Sequence, residues 1–279
     1  MSYLSAIILG IVQGVAEFLP ISSSGHLAIF QTFFGLTDVE SENLFFDVLL
    51  HLGTLAAVFV AYRKEIGELI LAFFSLFTRD QQQAQKAGHD YRPARRLILL
   101  IIVATLPLFL ILPIKDSIES LYTNTFFVGG ALIFTGLLLF ASDRFPKGYK
   151  TEKSATMLDA VLVGCAQALA TVPGLSRSGT TISAGLVRRF DRSFAVRFSF
   201  LMSIPAVLGA NILSLIDAAQ AGVNWSLLPV YLVGVAVAGV TGYLSIRLLK
   251  FIASHGSFGG FAYYCWGAGA FTIIMSLVS

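Results

Sequence analysis

The sequence predicts an all-α polytopic membrane protein. Of its 279 residues, 56% are hydrophobic and only 13% are charged, and the mean hydropathy is +0.79. A soluble domain carries about 25% charged residues, and half that density cannot cover the surface of a globule this large. Apolar runs long enough to cross about 30 Å of hydrocarbon recur along the chain. The same composition excludes intrinsic disorder, and a net charge of +3 with scattered basic residues excludes nucleic-acid binding.

Six apolar runs have the length of full membrane spans. Two further apolar regions, 4–34 and 157–190, are interrupted near their middle by polar stretches that contain proline and serine. The pieces on either side are about 15 residues, or about 22 Å of helix, which is too short to cross. Because irregular backbone at membrane depth must be buried in protein or line a wet cavity, both regions are predicted to be re-entrant helix pairs. The six predicted spans cover residues 44–62, 97–113, 125–141, 198–216, 227–249 and 261–278.

The basic residues agree with this topology. All Lys and Arg residues except Lys115 and Arg177 fall in loops that the re-entrant arrangement places on one side of the membrane. Positive residues favour the cytoplasmic side. We therefore predict cytoplasmic linkers at 63–96 and 143–156.

The chain also contains an internal repeat. A shift of 154 residues aligns seven identical residues around the two interruptions. Three crossings separate the copies, and this odd number means that they enter from opposite faces of the membrane. We predict one membrane domain over 1–279, made of inverted repeats at about 1–142 and about 157–279, with its site between the copies near the midplane. The aligned pairs are Ala6 and Ala160, Gly10 and Gly164, Gln13 and Gln167, Ala16 and Ala170, Ser22 and Ser176, Ser24 and Ser178, and Gly25 and Gly179.

The first interruption combines oxygen ligands with a helix N-terminus. Gln13 and Glu17 are four residues apart and therefore share one helix face. Ser22, Ser24 and Gly25 stand at the start of the following half-helix, where free N–H groups and the positive dipole end suit an anion. Glu17 would repel such an anion unless it is protonated or shares a divalent cation with it. Oxygen ligands favour Mg²⁺ or Ca²⁺ over Zn²⁺.

The second interruption repeats this pattern and adds a cation. Ser176, Ser178 and Gly179 begin another half-helix, and Arg177 lies between them. An arginine inside a membrane is costly and indicates function. Two helix N-termini together with one guanidinium predict a phosphate or diphosphate site.

At these two stretches the sequence resembles the undecaprenyl-diphosphate phosphatase family, also called the bacitracin-resistance phosphatases. That family is recognised by (Glu/Gln)-x-x-x-Glu leading into Pro-x-Ser-Ser-(Ser/Thr)-Gly-His, and by Pro-Gly-x-Ser-Arg-Ser-Gly-x-Thr. Here the motifs lie at Gln13 to Glu17, at 20–26 and at 173–181. Both match in order and spacing, and the similarity spans nearly the whole chain. The first acidic position is Gln13 here, which leaves Glu17 as the better metal ligand.

The resemblance implies a bacterial inner-membrane phosphatase. It would hydrolyse the terminal phosphate of undecaprenyl diphosphate on the periplasmic face, which returns the lipid carrier to peptidoglycan synthesis and gives bacitracin resistance. By motif position, Glu17 and His26 are implied to be catalytic, Ser23 a nucleophile or hydroxyl donor, and Arg177 a phosphate clamp. Mg²⁺ or Ca²⁺ is implied as cofactor, held by Glu17 and Gln13. The implied substrate-binding residues are Ser22, Ser24, Gly25, Ser176, Ser178, Gly179 and Thr181.

Several alternatives stay open at this point. Ser23 activated by His26, His26 itself, or water would each serve as nucleophile. Asp47 and His51, also four apart, either support the site or pair structurally. A transporter or flippase of a polyprenyl-phosphate lipid is the alternative function, since inverted repeats with broken helices are typical of secondary transporters. Glycine-rich runs at 234–242 and 256–269 allow close helix packing within one protomer or in a homodimer.

Overall fold

The computed structural model describes residues 1–34, 40–76, 90–221 and 223–278. In these ranges the regular structure is helical, apart from an isolated β-bridge between Lys150 and Phe190. The predicted all-α fold is therefore confirmed. The helices are α1 (Tyr3–Phe18), α2 (Ser23–Phe34), α3 (Glu40–Ala61), α4 (Arg63–Phe74), α5 (Arg92–Thr105), α6 (Lys115–Glu119), α7 (Thr125–Ser142), α8 (Met157–Leu169), α9 (Arg177–Val187), α10 (Arg192–Ala221), α11 (Leu228–His255) and α12 (Gly259–Val278), with 3₁₀ turns at Leu106–Leu110, Leu112–Ile114, Ser120–Thr123 and Trp225–Leu227.

Five helical segments of the described chain are long and apolar enough to cross a membrane. The remaining predicted span is 44–62, the first in the chain. It meets that test only together with α4, which is bent from it by 82°. The sequence predicted a linker over 63–96, but the structure places α4 and the start of α5 within it. Residues 77–89 of that linker lie outside the described residues. The five segments are Arg92–Thr123, Thr125–Ser142, Arg192–Ala218, Trp225–His255 and Gly259–Val278.

Helix boundaries repeat at the predicted interval. The helices α1 and α8 begin at residues 3 and 157, and α2 and α9 begin at residues 23 and 177, so both pairs are 154 residues apart. The helices α1 and α8 have 16 and 13 residues, which is shorter than a full span. Re-entry of each broken pair on its own side stays a prediction.

Each broken helix packs against the other repeat. Helix α1 lies along α11, and α8 lies along α5. Glycine permits both close approaches at aligned positions. A Cβ at Gly10 would lie 2.6 Å from the carbonyl oxygen of Gly234, and one at Gly164 would lie 2.3 Å from that of Ala104. The last helices of the two repeats, α7 and α12, also pack on one another. The repeats are therefore intertwined into one body within the protomer.

The basic loops contact one another at one end of the molecule, and their location on the cytoplasmic side stays a prediction. The linker 143–156 contacts the N-terminal parts of α5 and α10, and Lys250 in α11 contacts the end of α3. At the other end, Lys115 donates to Asp217 at 2.7 Å. Four contacts join the basic loops: Arg96 with Ala155, Arg197 with Glu152, Arg192 with Gly256, and Lys250 with Ala61.

Candidate active site

The first interruption is a tight turn that ends in a serine cap. Helix α1 ends at Phe18, and α2 begins at Ser23. Ser22 adopts a φ of 73°, in the left-handed region that non-glycine residues rarely occupy. Its hydroxyl oxygen accepts a hydrogen bond from the backbone N–H of Gly25 at 3.2 Å. The serine run therefore stands at the N-terminus of the half-helix, as predicted.

The second interruption has the same cap. Gly174 takes a φ of 87°, and α9 begins after Ser176, whose hydroxyl accepts from the backbone N–H of Gly179 at 3.1 Å. In each repeat the capping serine also contacts the serine two residues later, at 3.3 Å in the first copy and 3.2 Å in the second. The aligned motifs thus form matching local structures.

The two turns meet one another. A Cβ at Gly25 would lie 3.2 Å from the Cα of Gly174, and a Cβ at Gly179 would lie 3.3 Å from the Cβ of Pro20. Under the 154-residue shift, Gly25 corresponds to Gly179 and Pro20 to Gly174, so these are the two halves of one pseudo-symmetric contact. Because glycine has no side chain, the two tips approach closely. The polar residues of both repeats therefore lie near one another.

An ion pair joins the repeats at this point. The guanidinium of Arg177, at the start of α9, donates through Nη2 to Glu17 Oε1, near the end of α1. The Glu17 side chain is only 7% exposed and that of Arg177 only 18%. Since an isolated charge in such a place is very costly, each group makes the burial of the other tolerable.

The second carboxylate oxygen of Glu17 collects the remaining polar groups. Ser23 Oγ donates to Glu17 Oε2 at 2.7 Å, and Gln13 Nε2 donates to it at 3.2 Å. His51 Nε2 lies 3.8 Å from the same oxygen, while its Nδ1–H donates to the Asp47 carbonyl at 2.8 Å. The sequence left open whether Asp47 and His51 support the site or pair structurally. The structure places the His51 ring beside Glu17, at the site.

His26 is held in one tautomer. Its Nδ1 lies 2.7 Å from the carbonyl oxygen of Ser22, which only accepts, so Nδ1 carries the proton. Its Nε2 therefore accepts from the hydroxyl of Tyr264 at 2.8 Å, and the two rings stack with centroids 5.6 Å apart. Ser23 donates to Glu17 instead. The geometry thus pairs Ser23 with the carboxylate rather than with the imidazole.

The residues predicted to bind substrate divide into two groups. Ser24 is half-buried beside Ser23 and accepts from the N–H of Gly174 at 3.4 Å. The remaining members are buried in contacts that hold the two tips in place. Ser178 donates to the carbonyl of Leu19, and Thr181 pairs with Ser199 at 2.6 Å on the side of α10. The buried members are Ser22, Gly25, Ser176, Ser178, Gly179 and Thr181.

Tyr264 is the residue that the sequence did not reveal. It lies in α12, 238 positions from the histidine it contacts. A tyrosine in an apolar span is ordinary, and no polar neighbour in α12 marks it. Only the spatial arrangement of α2 and α12 identifies it as part of the site.

The oxygen donors fit a hard cation that is shared with a phosphate. Within the described ranges no three His, Cys, Asp or Glu side chains are grouped to hold a metal by themselves. Gln13 Oε1, however, is buried without a hydrogen-bond partner next to the Glu17 carboxylate. Mg²⁺ usually takes one or two carboxylates and completes its shell with water and substrate phosphate. An amide oxygen and a carboxylate therefore suffice for such a shared site.

This arrangement has the parts that phosphoryl transfer needs. A hydroxyl is hydrogen-bonded to a carboxylate, and a guanidinium lies at the same carboxylate, inside a polytopic helical membrane protein. Charge stabilisation and positioning are the main catalytic devices in that chemistry. The fold defines a polytopic helical membrane protein, and its candidate site is a buried cluster of charged and polar side chains from both halves of the chain.

Comparison with known proteins identifies the family. The family model described as "Bacitracin resistance protein BacA" matches residues 6–271, and the chain belongs to this family. A relative named "Undecaprenyl-diphosphatase" from Methanosphaera stadtmanae is 40% identical and is aligned over 100% of this chain and 99% of its own. Relatives of the same name from Syntrophotalea carbinolica and Alkaliphilus metalliredigens are 43% and 41% identical, over 99% and 100% of this chain and 100% of theirs.

Proposed function

We propose that this protein hydrolyses undecaprenyl diphosphate to undecaprenyl phosphate and inorganic phosphate. The full-length relatives named "Undecaprenyl-diphosphatase" support this activity. The observation that carries it is the hydrogen bond from Ser23 Oγ to Glu17 Oε2 at 2.7 Å, with Arg177 on the other oxygen of the same carboxylate. Recycling the lipid carrier in this way serves peptidoglycan synthesis, and it confers resistance to bacitracin.

In the first step the bound head group takes Arg177 away from Glu17. The terminal phosphate presents several anionic oxygens, and a guanidinium pairs with them in a bidentate manner. Ser24 and the N-terminus of α2 supply further donors. The exchange neutralises the phosphate and frees the Glu17 carboxylate to accept a proton.

In the second step Ser23 Oγ attacks the terminal phosphorus. Its proton passes to Glu17, a Ser23 O–P bond forms, and the bond between the terminal phosphorus and the bridging oxygen breaks. Undecaprenyl phosphate leaves with the electron pair of that bond. The proton on Glu17 passes to the leaving undecaprenyl phosphate, which restores the carboxylate. Water then attacks the phosphoserine while Glu17 takes a water proton. The Ser23 O–P bond breaks and Glu17 returns that proton to Ser23 Oγ, so phosphate and free Ser23 are regenerated.

His26 adopts a supporting role in this scheme. Its Nδ1–H is bound to the Ser22 carbonyl and its Nε2 to the Tyr264 hydroxyl, so the ring is oriented on both sides. From one turn beyond Ser23, its unprotonated Nε2 is available to accept a proton or a hydrogen bond when Tyr264 releases it. Attack by His26 itself and attack by water are the competing schemes.

Glu17 and Gln13 would hold Mg²⁺ or Ca²⁺ through their oxygens. When bound, such a cation supplies positive charge that stabilises the phosphoryl oxygens in the transition state. The unpartnered Oε1 of Gln13 supports this assignment.

The site opens on the periplasmic side of the inner membrane in this proposal. The 3₁₀ turn Ser120–Thr123 contacts α2, and it belongs to the loop that carries Lys115, at the end opposite the basic linkers. Positive linkers favour the cytoplasm, so the α2 end faces outward. The substrate is a membrane lipid, and a homodimer remains an expectation from the glycine-rich spans.

The deciding experiment is phosphate release from undecaprenyl diphosphate by the purified protein in detergent, where transport has no meaning. We expect release by the wild type, loss with a chelator, and loss in His26→Ala. With a labelled terminal phosphate, acid quenching should trap label on Ser23. Label on His26 would contradict the Ser23 scheme, and no covalent label would favour water. A protein that binds the lipid without releasing phosphate would be a transporter.

A further inference from the structure

A surface groove begins at the candidate site. It lies between α2 and α12 and has a volume of about 440 Å³. His26 and Tyr264 lie at its polar end, and the remaining lining is apolar or glycine. These remaining residues are Ile29, Phe30, Gly267, Ala268 and Phe271.

The groove marks a departure from the pseudo-symmetry of the repeats. Helix α9 packs along α7, the last helix of the other repeat. The equivalent partners are α2 and α12, which make no comparable contact within the described chain. The interface between α7 and α9 is therefore closed by packed side chains. The equivalent interface between α2 and α12 leaves the groove open beside His26.

We infer that this groove holds the first isoprene units of the substrate's polyprenyl tail. The inference rests on the proposed function and names a binding surface within it. The tail is covalently joined to the diphosphate, so it must leave the head-group site along a surface that is continuous with that site. The groove has this continuity through His26, and its lining of Ile29, Phe30 and Phe271 with two small residues suits a methyl-branched hydrocarbon.

In this arrangement Tyr264 separates head group from tail. Its ring stacks on His26 and its hydroxyl faces the imidazole, while the next turn of α12 contributes Gly267 to the apolar wall. Lipid tails are as apolar as the groove, so the groove gains little affinity by excluding water. Its effect is to fix the direction of the tail and hence the orientation of the terminal phosphorus toward Ser23.

Gly267 makes a precise test possible. A Cβ there would meet no atom within 4 Å, so a larger side chain projects into the groove without disturbing the fold. Gly260 is the matched control, because it lies about two turns earlier in the same helix, has equally open space around its Cβ, and does not line the groove. The variants are Gly267→Leu and Gly260→Leu.

The assay compares kcat/KM for isopentenyl, farnesyl and undecaprenyl diphosphate. For Gly267→Leu we expect a loss of about tenfold or more with the two longer substrates, the order of cost of crowding an occupied site. With isopentenyl diphosphate, a single isoprene unit, the change should stay within about twofold, as for surface substitutions. Gly260→Leu should match the wild type throughout. Equal loss on all three substrates, no loss, or the same loss in both variants would overturn the inference.

A second measurement does not depend on turnover. A polyprenyl diphosphate that carries a benzophenone on its second isoprene unit should label the peptides around Phe30 and Phe271, and Gly267→Leu should suppress this labelling. Labelling elsewhere, or labelling that survives the substitution, would mean that bulk lipid fills the groove. An inactive wild type that still labels here would refute the proposed function while supporting the groove.

Discussion

Removing the Arg177 guanidinium should have two separable effects, one on stability and one on catalysis. Arg177→Gln leaves the Glu17 carboxylate, 7% exposed, without its cation. Breaking a buried ion pair costs about 3–5 kcal/mol. We expect a destabilisation near the lower value, because Ser23 and Gln13 still donate to Glu17. Losing one donor that stabilises transition-state charge typically lowers kcat by about 10²–10³, so activity should fall by at least that factor.

A double variant separates these effects. Glu17→Gln combined with Arg177→Gln removes both charges, so neither is left buried and uncompensated. Residues in direct contact show coupling energies of about 0.5–3 kcal/mol, and we expect the double variant to be about 2 kcal/mol more stable than the sum of the single effects. Its activity should remain lost, because both the base and the clamp are gone.

Thermal unfolding in detergent and phosphate release from undecaprenyl diphosphate measure the two effects on the same samples. Arg177→Lys is the control that keeps a charge for Glu17 but loses the planar fork for phosphate. It should be near wild type in stability and strongly impaired in turnover. Additive unfolding energies would refute the ion pair, and near-wild-type turnover in Arg177→Gln would refute the clamp.

Three further predictions concern other parts of the protein. Tyr264→Phe keeps the ring stacked on His26 but removes the hydroxyl, so kcat and its pH profile should change while the melting temperature does not. Chelation should abolish turnover, and added Mg²⁺ or Ca²⁺ should restore it; full activity in chelator would exclude the cation. Burial acts to raise the pKa of Asp159, but hydrogen bonds, chiefly from Lys150, outweigh it and lower the pKa from 3.8 to about 2. The folded state is therefore stabilised above pH about 4, and this stabilisation is lost as the pH falls toward 2; in Asp159→Asn, acid unfolding should lose that component.

The main features of the fold could be predicted because membrane solvation constrains the sequence strongly. The uniform apolar runs predicted the spans, and the serine-rich interruptions predicted where α2 and α9 begin. The sequence analysis missed helix α4 because Arg63 and Lys64 at its start suggested a loop. The helix nevertheless carries apolar residues on its surface, such as Phe74. Its 82° bend from α3 depends on tertiary packing that no local pattern encodes.

The sequence predicted which residues form the candidate site, but it did not predict which of them hydrogen-bond to one another. Glu17, Ser23 and Arg177 were expected together because their motifs are polar residues in apolar surroundings, where chance placement is costly. Whether Ser23 donates to Glu17 or to His26 depends on the angle between α1 and α2, which the turn at Ser22 sets. That turn requires a left-handed serine, a conformation that the sequence does not signal.

The differences between the two predicted repeats explain why the described chain has one candidate site of this kind at the paired tips. Both copies carry the same serine and glycine residues at the tips, and the two tips pack against one another. The other candidate site residues differ between the copies: the carboxyl, hydroxyl and imidazole groups lie in the first copy, and the guanidinium lies in the second. Arg177 occupies the position equivalent to Ser23, so the second copy has no hydroxyl there and contributes a charge that pairs with Glu17 of the first. The proposed site needs a serine at one of these aligned positions and an arginine at the other, so the same set of groups assembles only once. The residues aligned with Glu17 and His26 are Thr171 and Thr180.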